Sequence, residues 1–322
     1  MRTRTIMRRV IGLIFICLIL SVDCLPNTIR LVFLGDVMLG RDVGIHLLGT
    51  DGVGFFQHLQ PDISYANLAL ANLESPLTTA PLMSSIEQEI TGYDLRADPE
   101  IVQLLSISGI DIVSLANNHI HDSGDEGVSD TLQALSEAGI VPIGPDSQVV
   151  WVTRQFTNLA FIAVDDVSQP IDIESTSTLI RQARSQGGVV VVSVHWGNEF
   201  HAGSSARQRT IAQMFADAGA HMIWGHHPHV LQPIEWLQGD NQPHEMLVAY
   251  SLGNALFDQY VPQDARQSIL LSVVITHEGV QFFDVIPFIS NLQEKVMSQP
   301  DQATEARILQ RLNLSASSGN YP

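Results

Sequence analysis

The sequence predicts an α/β domain built on a mixed or parallel sheet. Three observations carry that prediction. Apolar, β-branched runs recur along the chain and each stops at polar residues, helix-like stretches separate several of them, and the last third holds strand patterns joined by a tight turn. With 45% apolar and 16% charged residues in 322, the chain can bury a sizeable core.

The first element is expected to lie outside that domain. Arg2, Arg4, Arg8 and Arg9 precede the apolar run Val10 to Val22, the pattern of a signal peptide or a short signal-anchor over residues 1–24. The run is shorter than the roughly 20 residues of a transmembrane helix. It predicts an extracytoplasmic protein, secreted or held at the cell envelope. Cys24 stands where a lipidated cysteine could, but Asp23 is a poor residue to precede one. Cys17 lies within the apolar run, so beyond residue 24 there is no thiol, and any metal must be held by nitrogen and oxygen.

After Pro26-Asn27, the run IRLVFLGD reads as a buried strand ending in a Gly-Asp turn. Further strands are expected at Tyr65 to Ala71, Ile110 to Leu115, Leu159 to Val164, Gly188 to His195 and His221 to Trp224. Helices are expected at Pro99 to Ser108, capped by Asp98, at Gly127 to Ala138, stopped by Gly139, and at Ser205 to Ala218, stopped by Gly219. From Glu245 the pattern becomes MLVAYSLGN, then SILLSVVIT, the turn His277-Glu278-Gly279 and VQFFDVIPF, the last two forming an antiparallel hairpin. With no internal repeat or long linker, one domain is expected over residues 28–290, followed by a helical or polar tail over 291–322.

The formal charge of −18 and a single lysine, Lys295, argue against nucleic acid, whose binding needs clustered basic residues. Acidity of this kind needs no explanation beyond solubility.

Five polar clusters sit where apolar runs stop: Gly35-Asp36, Asn72-Leu73-Glu74, Asn117-Asn118-His119, His195-Trp196-Gly197, and Gly225 to His229. Loops at the carboxyl ends of strands converge on one crevice in open α/β sheets, so these clusters are expected to meet. Singly, each has an ordinary explanation as a turn or a backbone-satisfying side chain. Three histidines within four residues are less ordinary, since His227-Pro228-His229 read as an extended segment sets two imidazoles on one side. Mixed imidazole, carboxylate and amide donors suit Mn, Fe or Zn better than calcium or magnesium.

Seven ordered blocks carry a family resemblance: FLGDVMLGR (33–41), ANLESPLT (71–78), YDLRADPE (93–100), SLANNHIHDSGDEG (114–127), VSVHWGNEF (192–200), WGHHPHVLQPIE (224–235) and YSLGNALFDQ (250–259). They resemble the bacterial capsule-synthesis CapA (PGA_cap) family, a branch of the calcineurin-like metallophosphoesterases. The resemblance implies a four-layer α/β/β/α sandwich with one or two divalent cations at the strand ends. It implies Asp36, Asn72, Glu74, Asn118, His195, His227 and His229 as metal ligands and His119 as general acid. It further implies Asp122 to orient His119, Glu199 to orient His195 and Arg96 to hold an anionic group of the substrate, with loop-bracing salt bridges as the alternative for these three. His226, Asn254 and Asp258 fall at the edge of the expected site, where the last two can equally cap a turn.

Where the superfamily begins Asp-x-His and follows with Gly-Asp-x-x-Asp, this chain has Asp36-Val37-Met38 and Asn72-Leu73-Glu74, one imidazole and one carboxylate fewer. The implied function is a metal-dependent, phosphoesterase-like hydrolase in capsule or poly-γ-glutamate production, acting on an anionic polymer or phosphoester. The competing readings are a noncatalytic assembly subunit beside a membrane synthase, attached through an uncleaved N-terminal segment, and a substrate-binding module.

Overall fold

The computed structural model describes residues 28–47, 53–83, 94–144, 146 and 148–314. The expected signal or anchor segment and both cysteines lie outside the described residues. Among the described residues no helix is long and apolar enough to cross a membrane.

Two sheets organise the domain. The first contains β1 (Ile29–Val37), β2 (Leu68–Leu73), β3 (Ile112–Ser114), β4 (Val141–Ile143), β11 (Asn254–Leu256), β12 (Gln267–Thr276), β13 (Gly279–Asn291) and β14 (Val296–Ser298). Their order is β14-β13-β12-β1-β2-β3-β4, with β11 pairing β1. β1 to β4 run parallel, while β12 joins β1 antiparallel and forms the expected hairpin with β13. The second sheet, in order β5-β6-β7-β8-β10-β9, contains β5 (Val150–Arg154), β6 (Thr157–Asp165), β7 (Val189–His195), β8 (Met222–His226), β9 (Ile234–Gln238) and β10 (Glu245–Ala249). The mixed α/β prediction holds, with two sheets in place of one.

Alternation along each strand divides the apolar residues among three cores. Phe33, Leu70, Ile112 and Leu271 of the first sheet meet Phe161, Val191, Trp224 and Leu247 of the second. The opposite face of the first sheet, with Val32, Ala71 and Val113, packs against helical residues such as Phe56, Leu105 and Leu135. The outer face of the second, with Ile162, Val192 and Val248, packs against Ile180 and Phe215 of the helices Ile173–Ser185 and Ala206–Ala218. Both faces of the central strands are therefore buried, which is why their sequences read as continuous apolar runs.

Local chemistry sets the helix ends. Ser205 and Gln208 form a reciprocal capping box at the start of Ala206–Ala218, and Gly219 stops that helix at φ 95°. Asp98 caps Pro99–Val102, but this turn is 3-10 and becomes α-helical only over Gln103–Ile107. The helix expected from Gly127 starts three residues earlier, at Gly124. β2 begins at Leu68, because Tyr65 belongs to a short helix, Gln60–Tyr65.

Two departures shape the molecule. MLVAYSLGN is not one strand: β10 ends at Ala249, the chain crosses between sheets, and β11 starts at Asn254 beside β1 after Gly253 takes φ 70°. The domain also continues past residue 290. β13 runs to Asn291, β14 pairs with it, and the helix Gln302–Arg311 and the residue after it place Ile308 and Leu312 in the core between the sheets.

Local strain and burial each have a measurable consequence. Gln155 and Phe156 form the two-residue turn between β5 and β6 with φ 44° and 66°, and Phe156 is 95% exposed. A left-handed Phe without compensating burial is unfavourable by roughly 1 kcal/mol. Phe156→Gly is expected to raise urea-unfolding stability by about that amount, and unchanged or lower stability would refute the assignment.

His221 is fully buried, accepts the Val190 N–H at 2.8 Å and stacks on His244 at 4.2 Å. Burial, with His244 and Arg184 adding to it, pushes its pKa down to about 2. A lowered histidine stabilises the fold above the unfolded-state pKa near 6.5, and this contribution is lost as pH falls below it, because only the unfolded chain takes up the proton. The stability gap between wild type and His221→Gln should narrow by about 2 kcal/mol from pH 7 to pH 5. A pH-independent gap would exclude a neutral, buried His221.

Candidate metal centre

The carboxyl ends of β1, β2, β3, β7 and β8 and the start of β11 lie at one pole. Parallel register sets Asp36 beside both Asn72 and Asn254, and His195 beside His226. The Gly35-Asp36 pair is part of β1 and not a turn. Glycine is required there because a Cβ on Gly35 would fall 1.8 Å from the Gly253 carbonyl oxygen, and this close approach lets Asp36 N–H donate to that oxygen at 3.0 Å. His227 and His229 do not form an extended segment. Both have left-handed backbone, φ 93° and 56°, and it is this bend around Pro228 that brings their ring centroids to 5.8 Å. Such conformations are unfavourable for residues with a Cβ and persist only where the surroundings hold them.

Two groups of buried side chains offer converging ligand atoms: Glu74, His227 and His229, and Asp36, Glu74 and His195, with the atoms of each group within 4.8 Å of one another. Glu74 belongs to both. Its Oε1 lies 3.7 Å from Nε2 of His195 and 3.7 Å from Nε2 of His229. Asp36 Oδ2 lies 3.3 Å from His229 Nδ1 and accepts the His227 N–H at 3.3 Å. His226 Nδ1 is 3.2 Å from Asp36 Oδ1 but not aligned as a hydrogen bond, so both of its ring nitrogens remain unpartnered.

Burial opposes ionisation of Asp36, but the imidazoles of His226 and His229 beside it win and hold its carboxyl well below the usual range. Glu74 goes the other way: burial, with Asp36, Glu199 and Asp165 adding to it, pushes it well above normal against the pull of His229. Burial lowers His195, His226 and His227, the last to about 4. His229 resists burial because Glu74 and Asp36 flank it, and it rises to about 9. Neutral imidazoles with open lone pairs thus surround two acids whose balancing charge is a proton on His229.

That donor set fits a divalent cation. Glu74 Oε1, both nitrogens of His195 and Nδ1 of His227 are buried without a hydrogen-bond partner, as is the Asn118 amide oxygen. Buried polar atoms left unpaired are rare in folded proteins. The chemistry of the set, imidazole and carboxylate with no thiolate, suits a first-row ion.

The remaining candidates divide. His119 Nδ1 lies 2.9 Å from Asp122 Oδ2 in the turn before the helix Gly124–Ala138, close enough to His227 for its charge to lower the His227 pKa. Asn72 presents its amide nitrogen to Asp36 at 2.9 Å and to Glu74 at 3.4 Å, while its oxygen faces the Asn117 amide. Its nitrogen braces the two carboxylates. Glu199 is exposed and makes no hydrogen bond to His195, whose nitrogens are unpartnered. Arg96 is gripped by Asp94 through Nε and Nη2, 2.9 and 2.7 Å, the loop-bracing arrangement. Met38 is buried in an apolar core. Asp258 pairs with Arg41, and Asn254 Oδ1 lies 2.9 Å from His229 Nδ1.

Asn117, placed in one of the five clusters without a ligand role, donates to the Leu73 carbonyl at 2.8 Å and accepts the His119 N–H, the backbone-satisfying role. Sequence reasoning missed Phe257 and Phe200, whose rings pack on His229 with centroids at 4.9 and 6.2 Å. No spacing marks the two aromatics.

The profile of the family described as "Bacterial capsule synthesis protein PGA_cap" matches residues 30–259. The chain is 30% identical over 277 residues to "PGA biosynthesis protein CapA" of Bacillus subtilis (strain 168), covering 79% of this chain and 70% of that one. It is 30% identical over 322 residues to "Capsule biosynthesis protein CapA" of Bacillus anthracis, covering 90% and 74%. Among solved structures, a hypothetical protein from Thermus thermophilus superposes with a TM-score of 0.54 at 17% identity, over 81% of this chain and 100% of that one, a likeness of fold alone.

Because Glu74 belongs to both donor groups, Glu74→Gln should weaken binding of Mn²⁺ by more than roughly 100-fold and abolish the metal-induced rise in melting temperature. Without metal the variant should melt close to wild type, since burial already pushes Glu74 toward its protonated form, which Gln resembles in shape and charge. Wild-type affinity in Glu74→Gln, measured by calorimetry on chelator-stripped protein, would rule out this centre.

Proposed function

Because the chain belongs to the bacterial capsule synthesis protein PGA_cap family, we propose that it is a metal-dependent, phosphoesterase-type hydrolase acting outside the membrane in capsule or poly-γ-glutamate production. The observation that carries this reading is the pair of donor groups sharing Glu74, with the His119–Asp122 pair beside them. The three apolar cores support a four-layer α/β/β/α arrangement of the metallophosphoesterase type. The names of the Bacillus relatives support the capsule and PGA pathway.

Asp36, Glu74, His195, His227 and His229 would hold the cation or cations, with Asn118 offering its unpartnered oxygen. One or two such ions supply Lewis-acid activation of water and the positive charge that draws an anionic substrate to an otherwise acidic chain. Asp122 fixes a proton on His119 Nδ1 and stabilises the imidazolium, leaving Nε2–H to protonate the departing oxygen. Asn72 holds the two carboxylates apart, and the packing of Phe257 and Phe200 on His229 limits water at that ligand. The substrate class is a phosphoester or an anionic polymer linkage.

The test is turnover of phosphodiesters and phosphomonoesters by Mn²⁺-loaded wild type and His119→Ala. Loss of His119 should lower kcat by roughly 10²–10⁴-fold at unchanged metal content. Stoichiometric metal with no His119-dependent turnover would replace this reading with a noncatalytic assembly subunit.

A further inference from the structure

A basic cavity stands apart from the metal donors but at the same pole. Antiparallel register sets Gln267 against Ile289 and Ile289 against Ser298, one row across β12, β13 and β14. Gln267 comes before Leu271, which pairs with Phe33, so this row lies toward the Asp36 end of β1. The row also abuts the segment that enters β11, since a Cβ on Gly253 would fall 2.8 Å from the Gln267 carbonyl oxygen. Over it opens a cavity of about 450 Å³, with Arg266, Gln267, Asn291, Ser298 and Arg307 among its walls. That volume falls within the roughly 300–1,000 Å³ of small-ligand sites.

Charge in the cavity is unbalanced. Two acids line it, and both are engaged. Asp264 pairs with Arg311 and accepts Gln267 Nε2 at 3.0 Å, while Asp301 caps the helix Gln302–Arg311 by accepting the Thr304 N–H at 2.7 Å. Arg266 and Arg307 have no acid in salt-bridge contact among the described residues, and the charge of Arg307 reaches Asp301 only through space. Arg266 Nε donates to the Ser290 carbonyl at 3.2 Å and Arg307 Nη2 to Thr304 Oγ1 at 2.7 Å. Each bond steadies a guanidinium and leaves its other N–H groups uncommitted. The group that meets such planar donors two at a time is an oxyanion.

We propose that this cavity is a second anion subsite, taking a carboxylate or phosphate group of a polymeric substrate whose chain also reaches the metal centre. The proposal rests on the anionic-substrate reading above. A chain of formal charge −18 repels a polyanion at long range, so such a substrate needs local positive footholds. A loaded metal centre is one, and Arg266 with Arg307 is another at the same pole. Two footholds on one polymer also reinforce each other, because the second is engaged without a further encounter.

The experiment measures, by calorimetry at low salt, the binding of a short oligoglutamate and of inorganic tripolyphosphate to full-length protein stripped of metal and dialysed free of chelator. Wild type is compared with Arg266→Gln, Arg307→Gln and Arg181→Gln, the last removing the same charge from the helix Ile173–Ser185 on the outer face of the second sheet. Arg266→Gln and Arg307→Gln should each weaken binding by about 10-fold, the effect of losing a hydrogen bond to a charged group. Their melting temperatures should not change, because neither guanidinium pairs with an acid. Arg181→Gln should bind like wild type. Binding of one probe alone would assign the subsite to carboxylate or to phosphate. A wild type that binds neither probe, or equal weakening in all three variants, would overturn the subsite and leave the metal centre and its His119-dependent turnover standing. Absence of that turnover with the probes still bound would overturn the hydrolase reading and keep the anion subsite.

Discussion

Asp36 and Glu74 stand side by side with no solvent exposure, and the rest of the site answers to that fact. Withdrawing a carboxylate from water costs several kcal/mol unless charge and hydrogen bonds offset it. The ion pairs recorded for both acids are with histidines. An arginine or lysine would neutralise them permanently. An imidazole can give up its proton and present a lone pair, so the balancing charge can be exchanged for a cation. His229, flanked by the two acids, is raised to about 9.

Bringing these groups together uses features that favour function over stability. The backbone is left-handed at His227 and His229, and β1 runs against the Gly253 carbonyl where no side chain fits. The chain leaves the second sheet after Ala249 and joins the first at Asn254, so one short segment ties both sheets to the ligands. Asn72 and Asn117 then brace the strand ends from within, linking Asp36, Glu74, the Leu73 carbonyl and the His119 amide. The His119–Asp122 pair is therefore anchored to the same framework as Asp36 and Glu74.

Much of this was legible in the chain itself. Strands buried on both faces are continuous apolar runs, and Ser205, Asp98, Gly139 and Gly219 mark helix ends by chemistry that acts within a few residues. Of the polar residues at the stops of those runs, Asp36, Glu74, His195, His227 and His229 do gather, because parallel strands deliver their carboxyl ends to one pole. Arg96 and Glu199 were harder. Their partners are fixed by loop conformation, and Asp94, two residues away, claims Arg96.

By itself, then, the sequence determined the alternation of strands and helices, the family, and which imidazoles and carboxylates gather, since each depends on local periodicity or on residues in ordered blocks. Only the tertiary structure decided that there are two sheets, that YSLGN crosses between them, that Glu74 is shared by two donor groups, and that Asn72 donates to both Asp36 and Glu74. Those outcomes depend on atoms brought together from distant parts of the chain to within hydrogen-bond reach. No spacing along the sequence encodes such distances.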